Sequence, residues 1–193
     1  MPASHRIRII GGLHRGRQIR VPDGVRPTPD RVRETLFNWL GQDLTGATTL
    51  DLYAGTGALT IEAQSRGAKL SVAIDRQPAL VRELATAARA IGITGVEARV
   101  ADALAYLRRE RRLFDLVFLD PPFADDPWAD LFDALTARLA AGGRIYAEAG
   151  RQLAPPPALQ LIRHARAGHV HYHLLALAQP AERQTLNAQP VGS

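Results

Sequence analysis

The sequence predicts an α/β protein, built on a mostly parallel sheet with helices on both faces, a small basic arm before it and an antiparallel hairpin closing it. Two observations carry that prediction. From Thr48 onward, short apolar runs of strand type alternate strictly with helical-period stretches, the order that right-handed crossovers between parallel strands require. The first apolar run opens into Tyr53-Ala54-Gly55-Thr56-Gly57 and then a helical pattern, and such a strand-to-helix turn is where open α/β sheets present ligands to backbone. With 193 residues and 46% hydrophobic content, the chain is long enough for one well-buried core plus an appendage.

Taken in order, residues 6–21 alternate in places (Arg6, Ile7, Arg8, Ile9) and carry Gly11, Gly12 and Gly16, which predicts short strands and turns. Thr28 before Pro29 has the pattern of an N-cap with proline at the first helical position. Val32, Leu36, Trp39 and Leu40 then recur at helical spacing as far as Gly41. Strands are expected near 48–52, 69–75, 95–101, 114–119 and 143–148, with helices near 57–66, 77–91, 102–110 and 127–140 between them. After Pro155-Pro156-Pro157, residues 159–165 and 170–177 predict two further strands joined at Ala167 and Gly168. The organisation that follows is an arm with its linking helix over 1–41, a main domain over 42–178, and a polar tail over 179–193 expected to be disordered.

The charge is placed unevenly. Residues 1–40 hold eight arginines (Arg6, Arg8, Arg15, Arg17, Arg20, Arg26, Arg31 and Arg33) against Asp23, Asp30 and Glu34, so the whole net charge of +5 lies there. A basic appendage on a neutral domain is suited to a polyanion. A solvated basic face in an arginine-rich chain, where Lys69 is the sole lysine, is the plainer alternative. The chain has no cysteine, which excludes disulfides, thiolate nucleophiles and cysteine metal sites. No apolar stretch has the length of a membrane span and the first residues carry no signal-peptide pattern, so a cytoplasmic protein is expected.

Three acids fall at three consecutive strand ends. Asp51 lies near the end of the first strand, just before the glycine turn. Asp75, eighteen residues after Gly57, is placed to accept hydrogen bonds from a cofactor ribose or to cap the following helix. Asp102 is placed to meet an adenine amine or likewise to cap a helix. The turn lacks the third Gly or Ala of the dinucleotide fingerprint, having Thr60 instead, which disfavours NAD. The most specific feature is Asp120-Pro121-Pro122-Phe123, directly after Leu116-Val117-Phe118-Leu119. Two prolines extend the backbone and remove two donors, leaving carbonyls to accept from something else. An exocyclic amine is the complementary partner: the Asp120 carboxylate and Pro121 carbonyl would hold its two hydrogens while Phe123 stacks on the base. A simple turn after a buried strand is the alternative.

Together these residues resemble a known family. Asp51-Leu-Tyr-Ala-Gly55-Thr-Gly57, Asp75 and Asp120-Pro-Pro-Phe123 resemble the class I methyltransferase motifs. Ile10-Gly-Gly-Leu-His-Arg15-Gly16 and Arg26-Pro-Thr-Pro-Asp30-Arg-Val-Arg33-Glu34-Thr-Leu-Phe37-Asn38-Trp39 are similar to the bacterial 16S rRNA guanine-N2 methyltransferase family, which modifies guanine 966 in ribosomal numbering. The similarity runs in order over about residues 6 to 177. It implies a Rossmann-like seven-stranded sheet and S-adenosylmethionine as methyl donor. The implied substrate is 16S rRNA within the small ribosomal subunit or an assembly intermediate, acted on by a monomer. By the resemblance, Asp120, Pro121, Pro122 and Phe123 hold the target base. Asp51, Tyr53, Gly55, Thr56, Gly57, Asp75, Arg76, Asp102 and Ala103 are expected to hold the cofactor. From the charge of the arm, Arg6, Arg8, Arg15, Arg17, Arg26, Arg31 and Arg33 are expected to grip RNA. Pro29 stands where the family more often has a small polar residue, and Asp120 where many amine methyltransferases have Asn.

Other readings remain open from the residues alone: a methyltransferase acting on DNA adenine, tRNA or a protein glutamine, or a non-catalytic RNA-binding protein of this fold. His169, His171 and His173 alternate along an expected strand, which places them on one face. An RNA-facing or solvated edge accounts for them better than a metal, as no carboxylate lies nearby in sequence. Arg108, Arg109, Arg111 and Arg112 gather at a helix end, where the helix dipole favours them.

Overall fold

In a computed structural model, residues 6–21 and 28–178 are described. The elements run β1 (Arg6–Arg8), β2 (Gln18–Arg20), α1 (Asp30–Leu40), β3 (Thr48–Asp51), α2 (Ala58–Ser65), β4 (Leu70–Asp75) and α3 (Pro78–Ala90). They continue with β5 (Val96–Val100), α4 (Ala103–Arg109), β6 (Phe114–Leu119), α5 (Trp128–Thr136), β7 (Leu139–Ala149), β8 (Leu159–Ala167) and β9 (Val170–Leu177). The seven-stranded sheet has the order β5-β4-β3-β6-β7-β9-β8, in which β3 to β7 are parallel and β9 runs antiparallel to both β7 and β8. The expected α/β fold with a closing hairpin is present.

The strand order reverses between β3 and β6, so the crevice beyond their carboxyl ends is the switch point of the sheet. Both strands are buried on both faces, which explains their continuous apolar character. Leu50, Val117 and Leu119 point into one layer with α4 and α5, while Leu116 and Phe118 point into the other with α1 and α2. Thr49 on β3 donates its hydroxyl to Ser71 on β4 at 2.7 Å. That satisfies two polar groups inside the sheet core.

The arm is not a separate body. Ile7, Ile9, Ile19 and Val21 alternate inward from β1 and β2 and join Ile61 and Ala88 in one cluster, while Arg6, Arg8 and Arg20 face out. Glu62 on α2, fully buried, receives the Ile10 and Gly11 backbone N–H groups and pairs with the guanidinium groups of Arg33 and Arg66. At Gly12 the backbone lies so close to α2 that a Cβ would stand 1.8 Å from the Ser65 carbonyl oxygen.

Two sequence expectations change here. Thr28 is not the cap of α1: Pro29 occupies that position without a side-chain bond, and its carbonyl accepts from Val32 and Arg33. Helix α5 stops at Thr136, four residues short of the expected 140, because Leu139 already pairs with Phe114 and starts β7 early. The expected strand at 143–148 is thus the second part of a longer one, with an irregularity between the Phe114 and Leu116 pairings. Among the described residues no helix is long and apolar enough to cross a membrane. The tail over 179–193 and Arg26 lie outside the described residues.

Candidate active site

The glycine turn after β3 is held from three sides. At Gly57 the chain adopts φ +76°, and a Cβ there would meet Leu84 Cδ1 at 2.1 Å, so α3 packs directly on the turn. Asp75, at the end of β4, accepts the Gly55 N–H at 2.9 Å through one oxygen and the Gln77 N–H at 2.8 Å through the other. Asp75 thus braces the glycine turn and the entry to α3, the second near the capping role that the sequence allowed it. Asp51, buried at the end of β3, accepts from Thr60 at 2.8 Å. Thr60, which sequence comparison marks only as a departure from the dinucleotide pattern, is the donor that holds this carboxylate. Burial pushes Asp51 up to about 7 despite that bond, with Asp120 and Asp75 adding repulsion.

Asp102 caps α4 through the Ala105 N–H at 2.8 Å and takes two hydrogen bonds from Arg76, at 2.7 and 3.0 Å. Those bonds hold its carboxyl below the usual range. Arg76 and Asp102 form an exposed pair beside the strand ends, whereas the Ala103 side chain is buried and offers a ligand only backbone. Tyr53 is half-buried next to them, and burial pushes its phenol up to about 12.

Asp120 follows β6 directly. It keeps exposed surface on its open side, while the protein packed around its carboxyl pushes it up to about 6. Close by stands a residue that the sequence reading missed: Glu148 on β7, buried, accepts the Tyr146 hydroxyl at 2.9 Å. Burial first and Asp120 second raise it to about 8. The available signal was positional, since Glu148 is a further acid near the carboxyl end of a parallel strand. Three carboxyls, each raised first by burial, thus gather at the switch point, a pattern suited to handling protons and hydrogen-bond donors.

Asp51, Tyr53, Gly55, Thr56 and Asp120 line one cavity of about 50 Å³, and Thr28 closes it from the segment before α1. Thr28 was predicted as a cap and is found here instead. The cavity has room for a small group, so a nucleoside held by the turn would lie mainly outside it, across the strand ends that carry Asp75 and Asp102. On the other side of Asp120, Pro121, Pro122, Phe123, Trp128 and Arg151 line a depression of about 330 Å³. Phe123 is half exposed, and a Cβ on Gly150 would approach its ring to 3.2 Å. The structure therefore brings Asp51, Tyr53, Gly55, Thr56, Asp75 and Asp120 together at one crevice. A more voluminous depression, about 500 Å³ between β2 and α3, lies away from it.

Arg33 is a correction. Expected to grip RNA, it is 1% exposed, donates to Glu62, Asp30 and the Arg8 carbonyl, and so ties α1 and β1 to α2. Arg17 is exposed but donates to the Ile91 carbonyl at 2.8 Å. Arg6, Arg8, Arg15 and Arg31 remain on the surface. The histidine alternation is also revised. His169 sits in the β8–β9 turn, and His164 from β8 joins His171 and His173 in its place, with ligand atoms within 4.8 Å of one another. His173 has both ring nitrogens engaged, one receiving the Leu153 N–H at 3.0 Å and the other 3.2 Å from the Ala147 carbonyl. Burial lowers its pKa to about 4, while His164 Nε2 and His171 Nδ1 lie 3.0 Å apart.

Comparison with known proteins places this geometry. The model of the family described as conserved hypothetical protein 95 matches residues 7–176, nearly the whole described chain. The chain belongs to that family. One relative, ribosomal RNA small subunit methyltransferase D of Escherichia coli, is 45% identical over 128 residues. That alignment covers 62% of this chain and 62% of the relative, less than two thirds of its length. The enzyme of the same name from Haemophilus influenzae is 39% identical over 127 residues, covering 63% of this chain and 66% of that one. Among solved structures, the Escherichia coli protein yhhF, provisionally named a methyltransferase, is 37% identical with a TM-score of 0.82. It aligns over 89% of this chain and 97% of its own. The chain therefore has a Rossmann-like class I methyltransferase fold.

Proposed function

We propose that this family member transfers a methyl group from S-adenosylmethionine to the exocyclic N2 amine of a guanine in 16S rRNA, guanine 966 in ribosomal numbering. The observation that carries the reading is the placement of Asp120-Pro121-Pro122-Phe123 at the switch point, across a small cavity from the glycine turn. The names of the relatives support the rRNA substrate and the small subunit.

The residues fit the donor. A turn that tolerates no Cβ at Gly57, with Asp75 bracing Gly55 and Asp102 at the next strand end, suits an adenosyl group lying along the strand ends. When bound, S-adenosylmethionine supplies an electrophilic methyl on a positively charged sulfur. The chain's own part is orientation and charge. The ionised Asp120 carboxylate accepts one amine hydrogen, and the Pro121 carbonyl the other, directing the nitrogen lone pair at the methyl. Transfer of that methyl to the nitrogen, with the sulfur keeping the electron pair of its former bond, would leave the amine cationic beside the Asp120 carboxylate. Asp120 stabilises that charge, and the departing proton passes to it or to water. Phe123, half exposed, offers its ring for the base to stack on. Arg6, Arg8, Arg15 and Arg31 attract the RNA backbone, and the chain acts as a cytoplasmic monomer on the small subunit or an assembly intermediate.

The test is transfer of labelled methyl from S-adenosylmethionine to 30S particles and to deproteinised 16S rRNA, both from cells lacking the activity, followed by nucleoside analysis. N2-methylguanosine is expected. Label in another nucleoside would overturn the substrate, and no label in either substrate would overturn the reaction.

A further inference from the structure

Beside the crevice, between α1 and the β8–β9 hairpin, lies a groove of about 420 Å³ that the reaction does not use. Its α1 wall is a stripe of Arg31, Thr35 and Trp39, four residues apart and so aligned along one face of the helix. Tyr146 and Tyr172 form the floor, stacked with 7° between their planes, and Arg166 closes the hairpin side. Two links connect the groove to the site. Arg31, in the first turn of α1, follows Thr28 by three residues, and Thr28 closes the small cavity; Tyr146 donates to Glu148 of the carboxyl cluster.

We propose that this groove binds a nucleotide of the RNA strand adjoining the target base, with Trp39 stacking on its base and Arg31 meeting its phosphate. The proposal rests on the RNA substrate inferred above. Three features favour it. Trp39 is only partly buried, which leaves ring surface for stacking. Arg31 is exposed and, among the described residues, its guanidinium has no ion-pair partner, unlike Arg33 two positions on. The groove volume falls within the roughly 300–1,000 Å³ of small-ligand sites. An aromatic face next to an unpaired cation is the combination that binds single-stranded nucleic acid, stacking giving affinity without strict sequence preference and the cation tracking the backbone. A target guanine turned out of its helix leaves its neighbour unstacked, and the groove would receive that neighbour.

Trp39 provides a direct readout. The chain has two tryptophans, Trp39 and Trp128, so in a Trp128→Phe background Trp39 alone emits. Titration with a short single-stranded oligoribonucleotide of mixed sequence is expected to quench that emission saturably. Arg31→Ala should lower the slope of log affinity against log salt by about 0.7, with Arg31→Lys restoring it. Trp39→Leu keeps apolar volume and removes stacking, and should raise the KM for RNA roughly tenfold; Trp39→Phe, which still stacks, should recover most of the loss. A purely structural role for Trp39 would instead be served by Leu. Methyl transfer to RNA with KM, salt slope and emission unaltered by these changes would overturn the groove and leave the reaction standing. Quenching without any methyl transfer would remove the reaction and keep the groove as an RNA site. An emission change that follows protein concentration without RNA, with a dimer mass by light scattering, would assign the groove to a second copy and overturn the proposal.

Discussion

Asp120 carries the negative charge that offsets a cationic amine, and can take up its proton, only when ionised, and its surroundings push its pKa up to about 6. Methyl transfer should therefore be lost as pH falls through about 6 and level off above it, as a kcat/KM profile against pH would record. Asp120→Ala should lower kcat by roughly 10²–10³-fold, the usual effect of removing one such group, while calorimetry finds S-adenosylmethionine affinity nearly unchanged. Glu148 makes a different demand. Its carboxyl is raised to about 8, so the folded protein holds a proton there that the unfolded chain releases near its ordinary value of 4.5. The protein thus loses stability as pH rises from about 4.5 to about 8, at about 1.4 kcal/mol per unit of raised pKa. Glu148→Gln keeps an oxygen for the Tyr146 hydroxyl and carries no charge. It should leave Tm nearly unaltered at pH 4 and raise it at pH 9, which thermal melts at the two values would check.

Among the elements, the join between arm and α2 concentrates the most demanding contacts. Gly12 has φ +74° and sits against the Ser65 carbonyl, so Gly12→Ala should pull residues 6–21 off α2. Limited proteolysis would then cut in the arm while the sheet domain stays intact. The element scale also separates what could be read in the sequence from what could not. The strands β3, β4 and β6 and the acids that follow them were legible, because a strand buried on both faces leaves an unbroken apolar run ended by a polar turn. Helix α5 was read too long because helical period in 137–140 is a local signal, and the pairing of Leu139 with Phe114 is a tertiary one. Thr28 looked like a cap because Ser and Thr before Pro usually are; only the fold shows it facing Asp51 and Asp120. Glu148 and Thr60 were missed for the same reason, each being ordinary in its own segment. Arg33 was indistinguishable from its surface neighbours until Glu62 could be placed against it.

Across the whole molecule, the arginines of the arm divide into two populations. Arg33 works inside, against Glu62, whereas Arg6, Arg8 and Arg15 stand outside. Replacing those three outer arginines together by alanine should lower the salt slope of RNA binding by about 2 without altering Tm. Arg33→Ala should do the reverse, destabilising the fold by roughly 3–5 kcal/mol because Glu62 loses a partner in the interior; denaturant titration beside binding isotherms would separate the two. The same partition appears at the margins of the sheet. β5 and β8 are its two outer strands, and β8 carries Arg163, His164 and Arg166 among its exposed residues. If a second molecule tried to extend the sheet by laying its own β8 alongside, guanidinium would meet guanidinium along the seam. The hairpin thus gives the protein colloidal protection whose strength is set by the surrounding electrolyte, full in dilute buffer and fading as salt shortens the reach of charge to about 3 Å at molar concentration.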